Sequence, residues 1–464
     1  MLNCCAICSQ KTVLAILNRT ELRAALALAG VFVLRMLGLF MVMPVLAILA
    51  VNYAGYSALM LGLAIGGYGL TQALLQIPMG VLSDKIGRKP VIIGGLLMFA
   101  LGSAVAAVAD NMLWLVIGRF LQGAGAIAGA IMALAGDVSR EEQRSKVMAI
   151  IGISIGFSFY VALLLGPIIA QQYGLSGIFA ITGVLAMLCI PVIVWVVPSA
   201  LNFAPKGDTL PTITDVKVLF FAPQLRRLNI SVLLLHMMIT LLFVQIPTIL
   251  SGMGWELAGH WKFYLPVLSA SIAGLVGLML LAKKRNQATV IKLCILGLAI
   301  AFAGLSFAHD SLFGLIGLIW LFFTGFNFLE ANFPALVSSI APAGKKGSAM
   351  GIYTSFQFFG AFLGGILSGS VSQFFGPTWV FVLAACICIA WLWIVRGLDG
   401  IPGLKRYTLK TNMHVQSAET IGQHLAKLRG VVDITVVPDE GVVYIKADDR
   451  HFELNKARQV LNLD

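Results

Sequence analysis

The stretch Gly80-Val-Leu-Ser-Asp-Lys-Ile-Gly-Arg-Lys-Pro90 separates two long apolar runs, roughly residues 58–79 and 91–109, and holds four charges within six positions. A connection this short predicts an antiparallel helical hairpin whose charged turn lies at one face of a membrane. Within the turn, Asp84 can only accept hydrogen bonds, and Arg88 offers a rigid fork of donors. The turn can therefore fasten neighbouring helices to one another.

The pattern resembles the signature that joins helices 2 and 3 in the major facilitator superfamily. Six positions match it: Gly80, Leu82, Asp84, Gly87, Arg88 and Lys89. The two glycines permit close backbone approach or a positive φ. In an arbitrary membrane protein the same residues would be a solvated basic turn, but six matches at fixed spacing favour the family. The resemblance implies two six-helix halves that rock against each other around a central site.

The composition places most of the chain in lipid. Of its 464 residues, 59% are hydrophobic and 11% are charged, whereas soluble domains are about a quarter charged. Apolar runs of about 20 residues predict spans. They lie near 22–50, 58–81, 90–109, 112–136, 147–171, 176–197, 228–251, 260–282, 287–308, 311–338, 347–373 and 377–396. We therefore expect an all-α polytopic membrane protein with twelve transmembrane helices.

The basic residues lie on one side of this arrangement. Even-numbered loops contain Lys85, Arg140, Lys283 and Lys345 among others, whereas the odd-numbered loops contain little besides Lys262. Because cytoplasmic loops are enriched in Lys and Arg, both termini are predicted in the cytoplasm. The net charge of +12 is then a topology signal, and we expect no nucleic-acid partner.

Changes in composition divide the chain into segments. They are an N-terminal tail (1–21), a first bundle (22–197), a polar linker (198–227), a second bundle (228–396), a short linker (397–404) and a small domain (405–464). Strand patterns near Tyr407, Asp433 and Val442 alternate with helical patterns in the order β-α-β-β-α. That order predicts a cytoplasmic ferredoxin-like α+β domain.

The small domain is similar to heavy-metal-associated domains, but it lacks their cysteine pair. Its first loop offers only Met413 and His414, which are weak ligands, and Cys5 and Cys8 in the N-terminal tail have no second ligand pair nearby. We therefore expect no metal and no cofactor. The small domain is interpreted as a docking or regulatory module that contacts the transporter core or binds a cytoplasmic ligand.

Two ionisable residues in the second half are candidates for proton coupling, since charges inside a bilayer are costly. Glu330 in span 10 is the first candidate, because a carboxyl about 12 Å deep can carry a proton. A fixed hydrogen bond to Asn332, Tyr353 or a facing helix is the alternative. His236 in span 7 is the second candidate, and a hydrogen-bonded core residue is its alternative.

Two arginines in the first half are further candidates. Arg-x-x-Gln-Gly-x-Gly-Ala at 119–126 resembles the helix-4 signature of proton-coupled members of the superfamily, and the resemblance links Arg119 to proton transfer. Its permanent charge can lower the proton affinity of a neighbouring carboxylate. Arg35 lies well inside span 1, where it either faces a functional interior or makes a fixed structural pair.

The same resemblance assigns a conformational latch to Gly80, Asp84, Gly87, Arg88 and Asp137. Asp137, at the end of span 4, is within reach of Arg88. Asp84 is expected to face the start of span 11, where residues 347–349 expose free amides and the positive end of a helix dipole. That contact requires the halves to meet on the cytoplasmic side, so it would stabilise an outward-open state.

Two other motifs concern the transport path. Tyr68, Gln72 and Gln76 recur every four residues and share one helix face, which indicates either a polar stripe along a substrate cavity or interhelical hydrogen bonds. Gly166-Pro167 resembles the core of the antiporter motif of exporters, although Ala162 and Ala170 replace its outer glycines.

The resemblance implies a proton-coupled secondary transporter of the bacterial inner membrane that exports amphipathic or drug-like small molecules. Its partners are then a small-molecule substrate, protons and the lipid bilayer. One alternative is a proton symporter that imports a metabolite. Another is a transporter-like sensor that signals through the C-terminal domain. No phosphate loop, metal cluster or nucleophile–base pair is recognisable, so we expect no enzymatic activity.

Overall fold

A computed structural model describes residues 18–139, 141–198, 213–308, 310–342, 345–398, 404–410, 418–437, 442–448 and 452–461. The cysteines Cys5 and Cys8, and Met413 with His414, lie outside these residues.

The first half of the chain is helical. Its helices are α1 (Arg19–Leu49), α2 (Ala58–Lys85), α3 (Arg88–Ala107), α4 (Met112–Ala124), α5 (Ala128–Asp137) and α6 (Glu141–Pro191). Helix α6 is two helices that meet at Gly174, where φ is 63° and ψ is −165°. A short π-helical turn, Val192–Val196, follows it.

The second half repeats this layout. Its helices are α7 (Ile213–Phe221), α8 (Pro223–Gly252), α9 (Trp261–Lys284), α10 (Gln287–Ala308), α11 (Leu312–Ile340), α12 (Lys346–Phe375) and α13 (Pro377–Val395). Eleven stretches of the described chain are long and apolar enough to cross a membrane, and one of them, Lys146–Val196, contains two predicted spans. The predicted twelve crossings and the all-α membrane architecture are confirmed.

Several helix boundaries differ from the predictions, and two of the differences have a clear physical reason. The span predicted as continuous over 112–136 is interrupted after Ala124, because the Gly125 carbonyl accepts from the amide of Ile127 (2.9 Å) instead of continuing the helical ladder. Helix α8 begins at Pro223, before the predicted start at 228. Proline suits the first helical position because its missing N–H would have no partner there.

Glycines of α2 bring the two halves into backbone contact. We call the end of the bundle that carries residues 80–90 the motif end, and the other end the opposite end. A Cβ atom on Gly66 would lie 2.7 Å from the carbonyl oxygen of Phe362 in α12. Near the opposite end, the Leu59 amide donates to Oε1 of Gln373 (3.1 Å). The glycine contacts between these helices thus run from mid-bundle towards the opposite end.

The C-terminal residues form a separate α+β unit. It consists of β1 (Leu404–Lys410), α14 (Ala418–Ala426), β2 (Val431–Val437), β3 (Val442–Asp448) and α15 (Leu454–Val460). Strand β3 is central and pairs antiparallel with both neighbours, in the order β1-β3-β2. The predicted order β-α-β-β-α is observed, and the strands have the neighbours expected of a ferredoxin-like fold.

Candidate functional site

Three helices of the second half bring His236, Gln357 and Glu330 together. Nε2 of Gln357 lies 2.7 Å from Nε2 of His236 and donates to Oε1 of Glu330 at 3.3 Å. Nε2 of His236 is 3.7 Å from the other carboxylate oxygen, Oε2. The side chain of Glu330 is 36% exposed, although Oε2 itself is buried and has no hydrogen-bond partner. The two predicted proton candidates of this half are therefore neighbours.

The surroundings of His236 define its neutral tautomer. Nδ1 lies 3.2 Å from the carbonyl oxygen of Val232, and a carbonyl can only accept, so Nδ1 carries the proton. In that tautomer Nε2 is an acceptor, which matches the amide nitrogen of Gln357. Protonation would turn Nε2 into a donor that opposes this amide and attracts the carboxylate of Glu330. The cluster thus has two hydrogen-bond arrangements that differ by one proton.

The position of Glu330 differs from the prediction in one respect. Helix α11 continues to Ile340, so Glu330 lies about 15 Å from that helix end instead of about 12 Å. Of the predicted fixed partners, Asn332 bonds elsewhere: its side chain donates to the carbonyl of Phe328 (2.7 Å) and accepts from Gln287 (2.9 Å). Facing helices α8 and α12 supply the partners that Glu330 does have.

Arg35 is the centre of a buried polar network in the first half. Its Nη2 donates to Tyr68 Oη (2.8 Å), to Gln72 Oε1 (2.9 Å) and to the Gly125 carbonyl (3.2 Å). Gln72 in turn donates to Oε1 of Gln76 (2.9 Å). Tyr68, Gln72 and Gln76 are at most 4% exposed, so in this structure they make the interhelical and intrahelical bonds that were the alternative to lining a cavity. The interruption between α4 and α5 supplies one acceptor of Arg35.

Arg119 belongs to a neighbouring network. Its Nε donates to the Ala64 carbonyl (2.9 Å) and its Nη1 to Oε1 of Gln122 (2.7 Å). Gln122 donates to Oγ of Ser103 at 2.7 Å, which joins α4 to α3. The guanidinium also lies over the ring of Tyr68, 5.3 Å from its centroid. Among the described residues, no carboxylate pairs with Arg119 or Arg35.

The signature turn fastens α2 and α3 to α5. Nη1 of Arg88 donates to Asp84 Oδ1 (2.6 Å) and Ser83 Oγ (2.9 Å), while Nε donates to Asp137 Oδ2 (2.8 Å). Gly87 has a φ of 96° and a ψ of 156°, a conformation that is close to glycine-only. The described contacts of Asp84 are therefore within its own half.

Gly166 lies against α1. A Cβ atom on it would be 2.8 Å from the carbonyl oxygen of Met41, so the Gly166-Pro167 step brings two helices of the first half into close contact. Ala162 and Ala170, which replace the outer glycines of the motif, are both buried in the same apolar cluster as Met41. The substitutions are accommodated by packing.

The polar networks of the two halves approach each other between α2 and α12. The ring of Phe358 packs on Tyr68, with centroids 6.0 Å apart, and Phe358 directly follows Gln357 of the His236 cluster. The sequence reasoning missed Gln357. Its signal was a glutamine in an apolar span, one helical turn after Tyr353.

Comparisons with known proteins agree with this architecture. The family model of the Major Facilitator Superfamily matches residues 28–365 and 290–409. The chain is 37% identical over 441 residues to the inner membrane transport protein YajR of Escherichia coli strain K12. This alignment covers 94% of this chain and 97% of that protein. It is 26% identical over 375 residues to the multidrug resistance protein MdtH of Citrobacter koseri, covering 79% of this chain and 88% of that protein. The solved structure of the nucleoside transporter NupG superposes with a TM-score of 0.66 at 14% identity, over 81% of this chain and 99% of that one.

Proposed function

This chain belongs to the Major Facilitator Superfamily, and we propose that it is a proton-coupled transporter that exports amphipathic, drug-like small molecules by alternating access. The proposal of proton coupling rests on the cluster of His236, Gln357 and Glu330. It contains a carboxylate oxygen without a hydrogen-bond partner and a histidine whose bonding reverses when a proton is added.

The cluster connects proton binding to helix movement. A proton on His236 would remove the acceptor at its Nε2, and a proton on Glu330 would remove the negative charge that strengthens the hydrogen bond from Gln357. Gln357 lies on α12. The next residue, Phe358, packs on Tyr68 of the other half. Protonation therefore changes the stability of the contact between α2 and α12. At this contact, glycines bring the backbones of the two halves close together.

The motif end supplies the opposing bias. In the outward-open state we expect the carboxylate of Asp84 to contact the amides at the start of α12. Arg88 and Asp137 hold the turn in place for that contact. One proton moving through 100 mV releases about 2.3 kcal/mol. A hydrogen bond to a charged group contributes about 1.5–3 kcal/mol, so one proton supplies a free energy similar to that of one such contact.

Orientation and direction rest on separate support. The basic loops at the motif end favour a cytoplasmic location for it, and the likeness to YajR supports the inner membrane. Export is supported by the Gly166-Pro167 step and by the likeness to MdtH, a multidrug resistance protein. Strand β1 contacts α11, which supports the proposal that the C-terminal domain docks on the core.

Proton movement in proteoliposomes tests this function. Aromatic amphipaths of both charge signs are applied under an imposed pH gradient, and internal pH is followed with a trapped dye. We expect substrate-triggered proton movement that disappears in Glu330→Gln and persists in Glu256→Gln, an exposed acid outside the cluster. Undiminished coupling in Glu330→Gln would contradict its role as the proton carrier.

A further inference from the structure

The interior of the first half has an uncompensated positive charge. Arg35 and Arg119 are each 1% exposed, and their described hydrogen-bond acceptors are carbonyls, amide side chains and a phenol. Among the described residues, the one buried acidic side chain of this half is Glu21, about 21 Å along α1 from Arg35. Two buried guanidiniums without a counter-charge are costly, so a function that supplies an anion would explain them.

Arg35 has unused donors. Nη2 makes all three of its hydrogen bonds, whereas Nε and Nη1 are buried and have no partner. A guanidinium has five N–H groups, and three of them therefore face no acceptor. Carboxylate, sulfonate and phosphate oxygens are the strongest acceptors for such a group.

Aromatic rings surround this guanidinium. Its carbon lies 5.8 Å from the centroid of the Phe99 ring, and Tyr68, which accepts from Arg35, contacts both Phe99 and Phe358. Phe358 belongs to the opposite half, so separation of α2 from α12 would uncover Tyr68 and give access to Arg35 from the space between the halves. The site would then combine a cation with an apolar wall.

We infer that the transported substrate is an amphipathic organic anion, with one carboxylate, sulfonate or phosphate group on an aromatic body. The anionic group binds the free donors of Arg35, Arg119 adds to the positive potential, and the body packs against the rings of Tyr68, Phe99 and Phe358. An organic cation of the same shape is repelled. This inference rests on the proposed transport function and specifies its substrate class.

Two probes that share one aromatic body but carry opposite charges test whether the site prefers an anionic substrate. Naphthalene sulfonate and naphthylmethylammonium are titrated by calorimetry into the full chain in phosphatidylcholine nanodiscs, without a proton gradient. We expect the sulfonate to bind at least about tenfold more tightly, as one charge-assisted hydrogen bond implies. Arg35→Gln should remove that preference and Arg35→Lys should restore part of it. Arg23→Gln, on the same helix but at its exposed end, should keep it.

Other outcomes overturn the inference. They are equal binding of the two probes, binding of neither, or a preference unchanged in Arg35→Gln. Inorganic phosphate or chloride that binds as tightly as the sulfonate would identify an inorganic counter-ion instead. Cooperative thermal unfolding of each variant shows that it is folded. The calorimetric assay measures binding without proton movement. A proton-coupled carrier of cations would show no preference for the sulfonate in this assay, but it would still show substrate-triggered proton movement in proteoliposomes.

Discussion

Arg88 shows how one side chain can organise a helix junction. Its guanidinium contacts an acid on its own hairpin, Asp84, and an acid on α5, Asp137, while its side chain is only 12% exposed. Partial burial lets these charge pairs contribute more than surface pairs do. The sequence motif identified Arg88 and both acids, but the division of its nitrogens between them depends on how α5 ends.

The pair of Arg88 and Asp137 is expected to stabilise the first half measurably. A double-mutant cycle of Arg88→Gln and Asp137→Asn should give a coupling free energy of about 1–3 kcal/mol, read from reversible unfolding in detergent. The control is the exposed pair of Glu453 and Lys456 (3.0 Å) in the C-terminal domain, whose coupling, read from the unfolding of that domain, should be near zero. A coupling near zero at Arg88 as well would mean that the contact does not contribute to stability.

Small residues on one face of helix α2 let its backbone pack directly on α12. Gly62, Gly66 and Gly69 each face the backbone of α12 at residues 365, 362 and 358 respectively. Small residues at an interface are typical of membrane helices, which associate through close packing because lipid is as apolar as their side chains. This face of α2 therefore packs closely on α12 through small residues and van der Waals contacts.

A large residue on this face should hold the halves apart. Gly66→Leu places side-chain atoms where the Phe362 carbonyl lies, so we expect a population shift towards the state open at the opposite end. Spin-label distances between α2 and α12 at that end should lengthen. Gly94→Leu is the control, since a Cβ there meets nothing within 4 Å. Unchanged distances in Gly66→Leu would show that this contact does not limit closure.

In both halves of the molecule, an arginine donates a hydrogen bond to a carbonyl at the C-terminal end of the last helix. Arg23 of α1 donates to the Trp195 carbonyl (3.1 Å), after the last helix of the first half. Arg227 of α8 donates to the Gly397 carbonyl (3.3 Å), at the same place in the second half. Cations are favoured at helix C-termini, where carbonyls lack partners. The repeat thus extends from helix order to individual contacts.

The C-terminal domain should be dispensable for folding of the bundle. Its core, which includes Leu425, Ile445 and Phe452, is a cluster of its own, separate from the clusters of the two halves. A chain that ends at residue 398 should therefore retain the thermal midpoint of the bundle, measured by tryptophan fluorescence in detergent. A midpoint lowered by several degrees would show that the domain contributes to bundle stability.

The sequence by itself determined the membrane spans, the charged hairpin and the strand order of the C-terminal domain. Apolar length, loop charge and strand alternation are local properties of the chain, so they can be identified without knowing which helices are neighbours. It also identified Arg35, Arg119, His236 and Glu330, because ionisable residues inside apolar spans are conspicuous.

Only the tertiary structure decided what these residues contact. Glu330 and His236 are 94 residues apart in the chain, and Gln357 joins them because three helices turn the relevant faces inwards. At the break between α4 and α5, the Gly125 carbonyl accepts from Arg35, a residue of another helix. Whether Nε and Nη1 of Arg35 find an acceptor depends on the arrangement of every helix around them. Such features arise from packing between distant segments, which periodicity and composition do not encode.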